Sequence, residues 1–214
     1  MTPTLPIIAL LLASAAAGTA QPLAISNQEI GFSLTIPDGF QQVDPAQIPN
    51  PQFLYLFQSR APLPGIAEAT IAVERLNGTL GRHPLDLNTV LKADPGLTDA
   101  QAYTETWKTF QIQAIRGYQV SAGSRMAMCS AQVPLKSEAI QVFVAGPSES
   151  ASQVAILLHQ VIQSLEGESN WLTDAQSAEK LGEGAGRLAG WILGAAIVGY
   201  AVRRRSRRRQ AALS

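Results

Sequence analysis

The sequence is poor in the residue types that build disulfide frameworks and metal sites. Its 214 residues include one cysteine, Cys129, and two histidines, His83 and His159. A single cysteine cannot form an internal disulfide, and neither histidine stands at metal-ligand spacing from the other or from Cys129. We therefore expect no disulfide scaffold and no metal centre. Cys129 lies within an apolar run and is predicted to be a buried structural thiol.

Motifs of catalysis and of nucleotide binding are missing as well. The chain contains no G-x-S-x-G, no Walker A loop and no dinucleotide fingerprint. His83 precedes Pro84 in a predicted loop, and His159 falls on the outward side of the last predicted helix of the domain. We expect no catalytic residue, no cofactor and no enzymatic activity. A hydrolase-like enzyme whose site is assembled only by the fold is the alternative, and a pocket holding either histidine beside a carboxylate would favour it.

Charge is scarce and unevenly placed. The 16 basic and 16 acidic residues cancel over the whole chain, yet residues 21–180 carry nine basic and fifteen acidic side chains, a formal charge of −6. Six arginines form a cluster near the C-terminus: Arg203, Arg204, Arg205, Arg207, Arg208 and Arg209. The pattern indicates an acidic domain followed by a basic tail.

Residues 1–20 have the composition of a secretory signal peptide. A short apolar stretch, residues 5–13, leads into small residues that end at Ala20. This stretch is too short to span a bilayer comfortably and precedes a small-x-small cleavage pattern. We expect cleavage after Ala20 and a mature domain outside the cytoplasm. No lysine or arginine precedes the apolar stretch, so an uncleaved anchor and an ordinary buried segment stay open as alternatives.

Residues 188–202 are predicted to be a single transmembrane helix. They are uncharged and mostly apolar, with Trp191 and Tyr200 near the two ends, where interfacial aromatics collect. Fifteen helical residues rise only about 22 Å, so the flanking arginines must extend outward to reach the headgroups. The arginine cluster that follows predicts a cytoplasmic tail, residues 203–214, at the plasma membrane. We expect this tail to contact anionic lipids rather than nucleic acid.

Glycines recur every four residues in and before this segment, at Gly182, Gly186, Gly190 and Gly194. On a helix they form one groove in which a second backbone can approach closely. The ladder predicts a homodimer or a partner transmembrane helix. Because glycine is common in membrane spans, background composition stays open as an explanation.

Residues 21–167 are predicted to form one α+β domain, joined to the span by a juxtamembrane linker at residues 168–187. A helix is predicted after Asp86, with Asp94-Pro95 ending it, and a second at residues 150–165, where Ser150 and Gln153 suggest a capping box. Consecutive strands with few helices favour an antiparallel sheet flanked by helices. The expected strands are residues 30–36, 53–57, 69–76, 105–115, 118–121, 126–133 and 139–145.

Three segments carry a resemblance to a known family. They are Gly31-Phe-Ser-Leu-Thr-Ile-Pro-Asp-Gly-Phe40, Ala114-Ile-Arg-Gly-Tyr118, and Val142-Phe-Val-Ala-Gly-Pro147 before the final amphipathic helix. Together they resemble the PsbP/Mog1-like superfamily over most of residues 28–167. The resemblance implies an α/β/α sandwich and a role in binding, because that family has no shared catalytic motif. The membrane helix and arginine tail depart from its soluble members.

The sequence thus favours a membrane-anchored, extracytoplasmic binding or assembly module with an unknown protein partner. The most informative structural feature to look for is a groove on the sheet face lined by aromatic side chains such as Tyr55, Trp107 or Tyr118. A third interpretation, beside the binding module and the hydrolase-like enzyme, is that the C-terminal span and arginine tail form a cleaved sorting signal. Asn77-Gly78-Thr79 is a glycosylation sequon that has meaning only in a eukaryotic host.

Overall fold

The computed structural model describes residues 21–48, 52–121 and 123–171. Two short 3-10 turns, Pro45–Gln47 and Ser148–Ser150, occur among its elements. In chain order the strands are β1 (Leu23–Asn27), β2 (Phe32–Ile36), β3 (Phe40–Gln42), β4 (Phe53–Ser59), β5 (Thr70–Leu76), β6 (Leu97–Trp107), β7 (Phe110–Ser121), β8 (Ser124–Val133), β9 (Ala139–Pro147) and β10 (Glu166–Gly167), with helix α1 (Leu87–Ala93) between β5 and β6 and helix α2 (Ala151–Gln163) between β9 and β10.

Eight pairings between these strands build two antiparallel sheets. The large sheet has seven strands in the order β3-β4-β5-β9-β8-β7-β6, and the small sheet has three in the order β1-β2-β10. The hairpin between β1 and β2 shows how the sequence sets its turns. The Asn27 side chain accepts from the Ile30 N–H at 2.9 Å, and Gly31 takes a φ of +82° that suits glycine.

The large sheet is covered on both faces. On one face, called here the α2 side, helix α2 and strand β2 pack their apolar side chains onto alternate residues of β5, β9, β8 and β7. On the other, the α1 side, helix α1 and the segment around Val43 and Ile48 cover residues such as Phe143 and Ile115. The architecture is therefore α+β, with antiparallel sheets and few helices, as the sequence predicts.

Both predicted helices are present, with corrections at their ends. Helix α1 begins after Asp86, whose side chain accepts from the Asn88 N–H at 3.1 Å, so the predicted N-cap is confirmed. Helix α2 begins at Ala151 behind a 3-10 turn, and the Ser150 side chain makes no capping hydrogen bond. The predicted capping box is therefore wrong.

The expected strand at residues 105–115 is wrong in one respect. It contains a hairpin: β6 ends at Trp107, β7 begins at Phe110, and Lys108 between them takes a φ of +54°. A lysine gives no sequence signal for such a left-handed turn residue. The strand predicted at residues 118–121 is the end of β7.

The described chain ends on the domain surface at Trp171. The Trp171 indole N–H donates to the Leu80 carbonyl at 2.8 Å, and its ring meets Phe110 edge-on. The Asn170 N–H donates to the Pro134 carbonyl at 3.2 Å. Residues up to Trp171 are thus held by the domain before the chain leads towards the predicted span.

Neither helix in the described ranges is both long enough and apolar enough to cross a membrane. The predicted signal peptide, the span at residues 188–202, the glycine ladder and the arginine cluster all lie outside the described residues. They stay predictions from the sequence.

Candidate functional site

A surface cleft opens on the α2 side, between the first turn of α2 and strands β6, β7 and β8. Its volume is about 290 Å³. Small residues make the space, because the side chains of Ala127, Ala151 and Ala155 leave room between helix and sheet. We call this the α2 cleft. Its polar lining comes from Asp99, Gln101, Arg116 and Ser152.

Two arginines set the charge around the α2 cleft. Arg116 donates from Nε and Nη2 to the Gln101 side-chain oxygen at 3.1 and 2.9 Å, which orients the guanidinium along the rim. Arg125 is paired with Asp99, and its guanidinium lies 3.7 Å from the centre of the Tyr118 ring. The rim therefore presents an oriented guanidinium with donors in excess of its Gln101 contact, suited to a carboxylate or phosphate.

Cys129 forms part of the floor of the α2 cleft and is 3% exposed. Burial is the main cause that raises the pKa of its thiol to about 11, against the opposing effect of Arg116. At neutral pH the group is a thiol rather than a thiolate, and only the thiolate is a strong nucleophile. The prediction of a buried structural cysteine is confirmed.

The two histidines lie apart from this cleft. His159 is exposed on α2, as predicted, and its Nδ1 lies 2.8 Å from a carboxylate oxygen of Glu105 on β6. Neither residue lines the α2 cleft. His83 is exposed in the segment before α1. Within the described ranges no three histidine, cysteine or acidic side chains cluster closely enough to hold a metal ion.

A second candidate site is buried on the α1 side. Cross-strand pairing places Glu74 of β5 opposite Gln141 of β9, and Gln141 opposite Gln132 of β8. Ser130, two residues before Gln132, points to the same face. We call these four side chains the polar row. Their exposed fractions are 0% for Glu74, Gln141 and Ser130 and 3% for Gln132.

Most polar atoms of this row have no hydrogen-bond partner within the described part of the chain. These are both carboxyl oxygens of Glu74, both amide atoms of Gln141, the amide nitrogen of Gln132 and the hydroxyl of Ser130. Each buried, unpaired group costs about 1–3 kcal/mol, so four such side chains would cost roughly 4–12 kcal/mol. A whole domain is stable by only about 5–15 kcal/mol. The polar row therefore needs partners that the described residues do not supply.

Burial also controls the charge of this site. It raises the pKa of Glu74 from 4.5 to about 8, and no charged group contributes to the shift. The Glu74 carboxyl is accordingly protonated at neutral pH and can donate a hydrogen bond as well as accept one. Glu74 is the one acid of the polar row, and its protonation keeps a net charge out of the interior.

Neither site was predicted from the sequence. Arg116 and Cys129 meet in the α2 cleft because β7 and β8 are paired, with the two residues directly opposite each other. The polar row carried a faint signal, since Glu74, Gln132 and Gln141 each interrupt an otherwise apolar strand. The three aromatic residues that the sequence singled out do not share one groove. Trp107 is 1% exposed and donates to the Leu165 carbonyl at 2.8 Å, the Tyr55 ring contacts Phe32 and Phe57, and Tyr118 lines the α2 cleft.

Comparison with known proteins gives weak likenesses only. No protein-family model and no curated protein matches the sequence. Among solved structures, cyanobacterial PsbP (CyanoP) from Synechocystis sp. PCC 6803 is similar, with 15% identity and a TM-score of 0.49; the match covers 73% of this chain and 98% of that one.

Two further solved structures are similar at the same level. LpqN of Mycobacterium tuberculosis, involved in cell envelope biogenesis, has 15% identity and a TM-score of 0.42 over 68% of this chain and 89% of its own. PA94 of Pseudomonas aeruginosa, a protein of unknown function, has 14% identity and a TM-score of 0.42 over 67% and 94%. Because all three of these TM-scores are below 0.5, the likenesses carry no argument about ligand, partner or activity, and membership of the PsbP/Mog1-like superfamily stays a prediction.

Proposed function

We propose that this protein is a non-catalytic binding or assembly module, held on the outer face of the cytoplasmic membrane by a helix at residues 188–202. The observation that carries the proposal is the α2 cleft. An open cleft with an oriented guanidinium at its rim can accept an acidic group of a partner protein, and its buried thiol offers no nucleophile for catalysis.

The charge pattern supports a partner contact at this place rather than over the whole surface. Residues 21–180 carry a formal charge of −6, so a basic partner would be attracted almost anywhere on the domain. An acidic group is repelled by the domain as a whole and attracted only where a cation is oriented towards solvent. Arg116 provides such a place, beside the exposed Ser152 on α2.

Site-specific cross-linking in native membranes tests this proposal. A photoreactive residue in place of Ser152 should give discrete adducts with a partner, and Arg116→Gln should lower their yield about tenfold, because a charge-assisted hydrogen bond contributes about 1.5 kcal/mol or more. Arg116→Lys separates charge from geometry, since lysine lacks the planar fork.

The matched control is a photoreactive residue in place of Gln160, which is exposed on α2 but does not line the α2 cleft. Equal adducts from positions 152 and 160, unaffected by Arg116→Gln, would show that the cleft is not where the partner binds.

The membrane topology has its own test. Because Cys129 is buried, a cysteine introduced at an exposed position is the only one that labels readily. In intact cells, Ser152→Cys should react with an impermeant maleimide, whereas Ser206→Cys should react only after the membrane is permeabilised. Labelling of Ser206→Cys from outside would refute the topology. A mature chain that ends before residue 203, as determined by mass spectrometry, would support a cleaved sorting signal instead.

The proposed homodimer through the glycine ladder can be tested in the same membranes. Gly190→Leu should abolish cross-linking between chains, because a bulky side chain at the closest approach forces the backbones apart, while insertion is unimpaired. Ile197→Leu is the control for a change of shape outside the ladder. Equal cross-linking in all three proteins would make the helix a simple anchor.

One observation favours the hydrolase-like alternative, namely the contact between His159 and Glu105. A carboxylate that orients a histidine is a common part of a catalytic site. If this pair is catalytic, the wild-type protein should hydrolyse generic ester substrates, and His159→Ala should abolish that activity. Equal rates for wild type and variant would leave the pair a structural contact between α2 and β6.

A further inference from the structure

The polar row is not an isolated patch but part of a line of polar side chains that crosses the large sheet. At its outer end, Thr104 of the edge strand β6 is exposed and lies opposite Gln113 of β7, which is half-buried. Burial then becomes complete through Gln132 and Gln141 to Glu74. The line therefore runs from solvent at one edge of the sheet to a carboxyl group near its centre.

The unpaired atoms of the polar row require both hydrogen-bond donors and hydrogen-bond acceptors. Gln141 has both amide atoms buried and unpaired, so it lacks a donor and an acceptor whichever way its amide is turned. Gln132 lacks an acceptor for its N–H₂ group, Ser130 is unpaired at its hydroxyl, and Glu74 is unpaired at both oxygens. A partner for this set must donate and accept hydrogen bonds at neighbouring positions.

Neither a bare cation nor an anion meets this requirement. A bare cation would suit the oxygens of Glu74 and Ser130, but it cannot satisfy the amide N–H groups of Gln141 and Gln132. An anion can accept from those N–H groups and from the protonated Glu74 carboxyl, but it has no proton to donate to the unpaired carbonyl oxygen of Gln141. A hydroxyl oxygen does both tasks, because it accepts from an amide and donates to the next oxygen along the row.

We propose that the polar row is an internal binding site for hydroxyl oxygens, supplied by water or by a small polyol. Each oxygen lies between facing side chains, accepts from a glutamine amide and donates to Glu74, Ser130 or a glutamine carbonyl. Glu74 contributes its own proton to the network. The site is separate from the α2 cleft, since the two lie on opposite faces of the large sheet.

Glutamine side-chain NMR of the full-length protein in detergent tests this inference, with glycerol as the polyol probe. If a polyol binds, glycerol should shift the side-chain amide signals of Gln132 and Gln141 in a saturable manner and leave exposed Gln160 unchanged. If water occupies the site, glycerol should have no effect, and the same two amides should show cross-peaks to water with a long residence time. Either result supports the inference and identifies the source of the hydroxyl.

Variants sharpen the measurement. Gln141→Leu should weaken glycerol binding at Gln132 about tenfold, or remove the water cross-peak, because it deletes two hydrogen-bonding groups. Glu74→Gln retains a donor and an acceptor of the same shape and should preserve the signal. Should Gln141→Leu fail to fold, the wild-type spectra still decide. Amides that respond neither to glycerol nor to water, or that shift with sodium or calcium ions, would overturn the inference.

Discussion

The two faces of the large sheet are built from the same strands but differ in what their buried side chains contact. On the α2 side, alternate residues such as Ala131, Val142 and Val144 pack against apolar side chains of helix α2 and strand β2. On the α1 side, the intervening residues include Gln132 and Gln141, whose amide nitrogens have no hydrogen-bond partner among the residues that the structure describes. One face thus stabilises the fold through dry packing, while the other retains polar groups at the expense of stability.

The difference extends to the covering layers. Helix α2 has thirteen residues, and five of them are buried against the sheet: Val154, Leu157, Leu158, Val161 and Ile162. Helix α1 has seven residues and buries only Val90. A short helix with one buried side chain, such as α1, unfolds locally at a lower free-energy cost than a longer helix with five buried side chains, such as α2. This suits an internal polar site on the α1 side, because small molecules must exchange with solvent.

Leu158→Ala should have the largest effect on stability. Leu158 is fully buried at the centre of the α2 side, and a leucine-to-alanine change in such a place costs about 2–5 kcal/mol. Urea unfolding of the full-length protein in detergent measures the loss. On the same helix, Ile156 is 57% exposed, so Ile156→Ala should change stability by no more than about 0.5 kcal/mol. Equal effects of the two variants would show that α2 does not hold this face.

The pH dependence should separate the two faces next. The pKa of Glu74 is about 8 in the folded protein and 4.5 as the ordinary value. Between these values the folded state holds a proton that the unfolded state has lost. The free energy of unfolding therefore falls as pH rises, by at most about 1.4 kcal/mol per pH unit, and the fall ends above about pH 8.

Glu74→Gln isolates this effect, because it removes the titration and retains the hydrogen-bonding shape. The difference in unfolding free energy between wild type and variant should grow steadily from pH 5 to pH 8 in favour of the variant. Other acids, such as Asp86 and Glu168, have pKa values lowered by their partners and contribute equally to both proteins. Parallel curves would mean that Glu74 ionises freely in the folded state.

How far the sequence predicts this fold depends on whether a feature is local. The N-cap at Asp86 and the apolar face of α2 follow from residues three or four positions apart, and both predictions are confirmed. The left-handed Lys108 was not predictable, because nothing in the residues around it favours that conformation. Its hairpin is defined by the pairing of β6 with β7 rather than by its turn residues.

The two candidate sites depend on contacts between residues far apart in sequence. Glu74 and Gln141 are opposite each other only because β5 pairs with β9, and the chain between them forms three other strands and a helix. A polar residue in an apolar strand signals that something unusual is buried, without indicating its neighbours. The register of pairing supplies that information, and it is determined by the whole sheet.

The sign of the Gln141→Leu effect tests whether the polar row is occupied. If hydroxyl oxygens bond to Gln141, its loss removes two hydrogen bonds and should destabilise the protein by about 1–2 kcal/mol. If the row is dry, replacing an unpaired amide by an apolar side chain of similar volume should be neutral or stabilising. Urea unfolding in water and in glycerol measures the change, and a stabilised variant would contradict the proposed site.

The smallest effects come from opposite substitutions at neighbouring positions of β8. Ala131 faces the α2 side, lies between Ala114 and Val142 and is fully buried, so Ala131→Ser adds a hydroxyl with no partner and should cost about 1–2 kcal/mol. Ser130 faces the α1 side. Ser130→Ala removes one hydroxyl from the polar row and should cost about 0.5–1 kcal/mol, the value of a single hydrogen bond. Ala131 and Ser130 are neighbours in the same strand and differ in the face of the large sheet on which they lie. Urea unfolding of the two variants therefore compares the two faces directly. If Ala131→Ser is tolerated while Ser130→Ala is severely destabilising, the α2 side is not dry, and the contrast between the faces must be rejected.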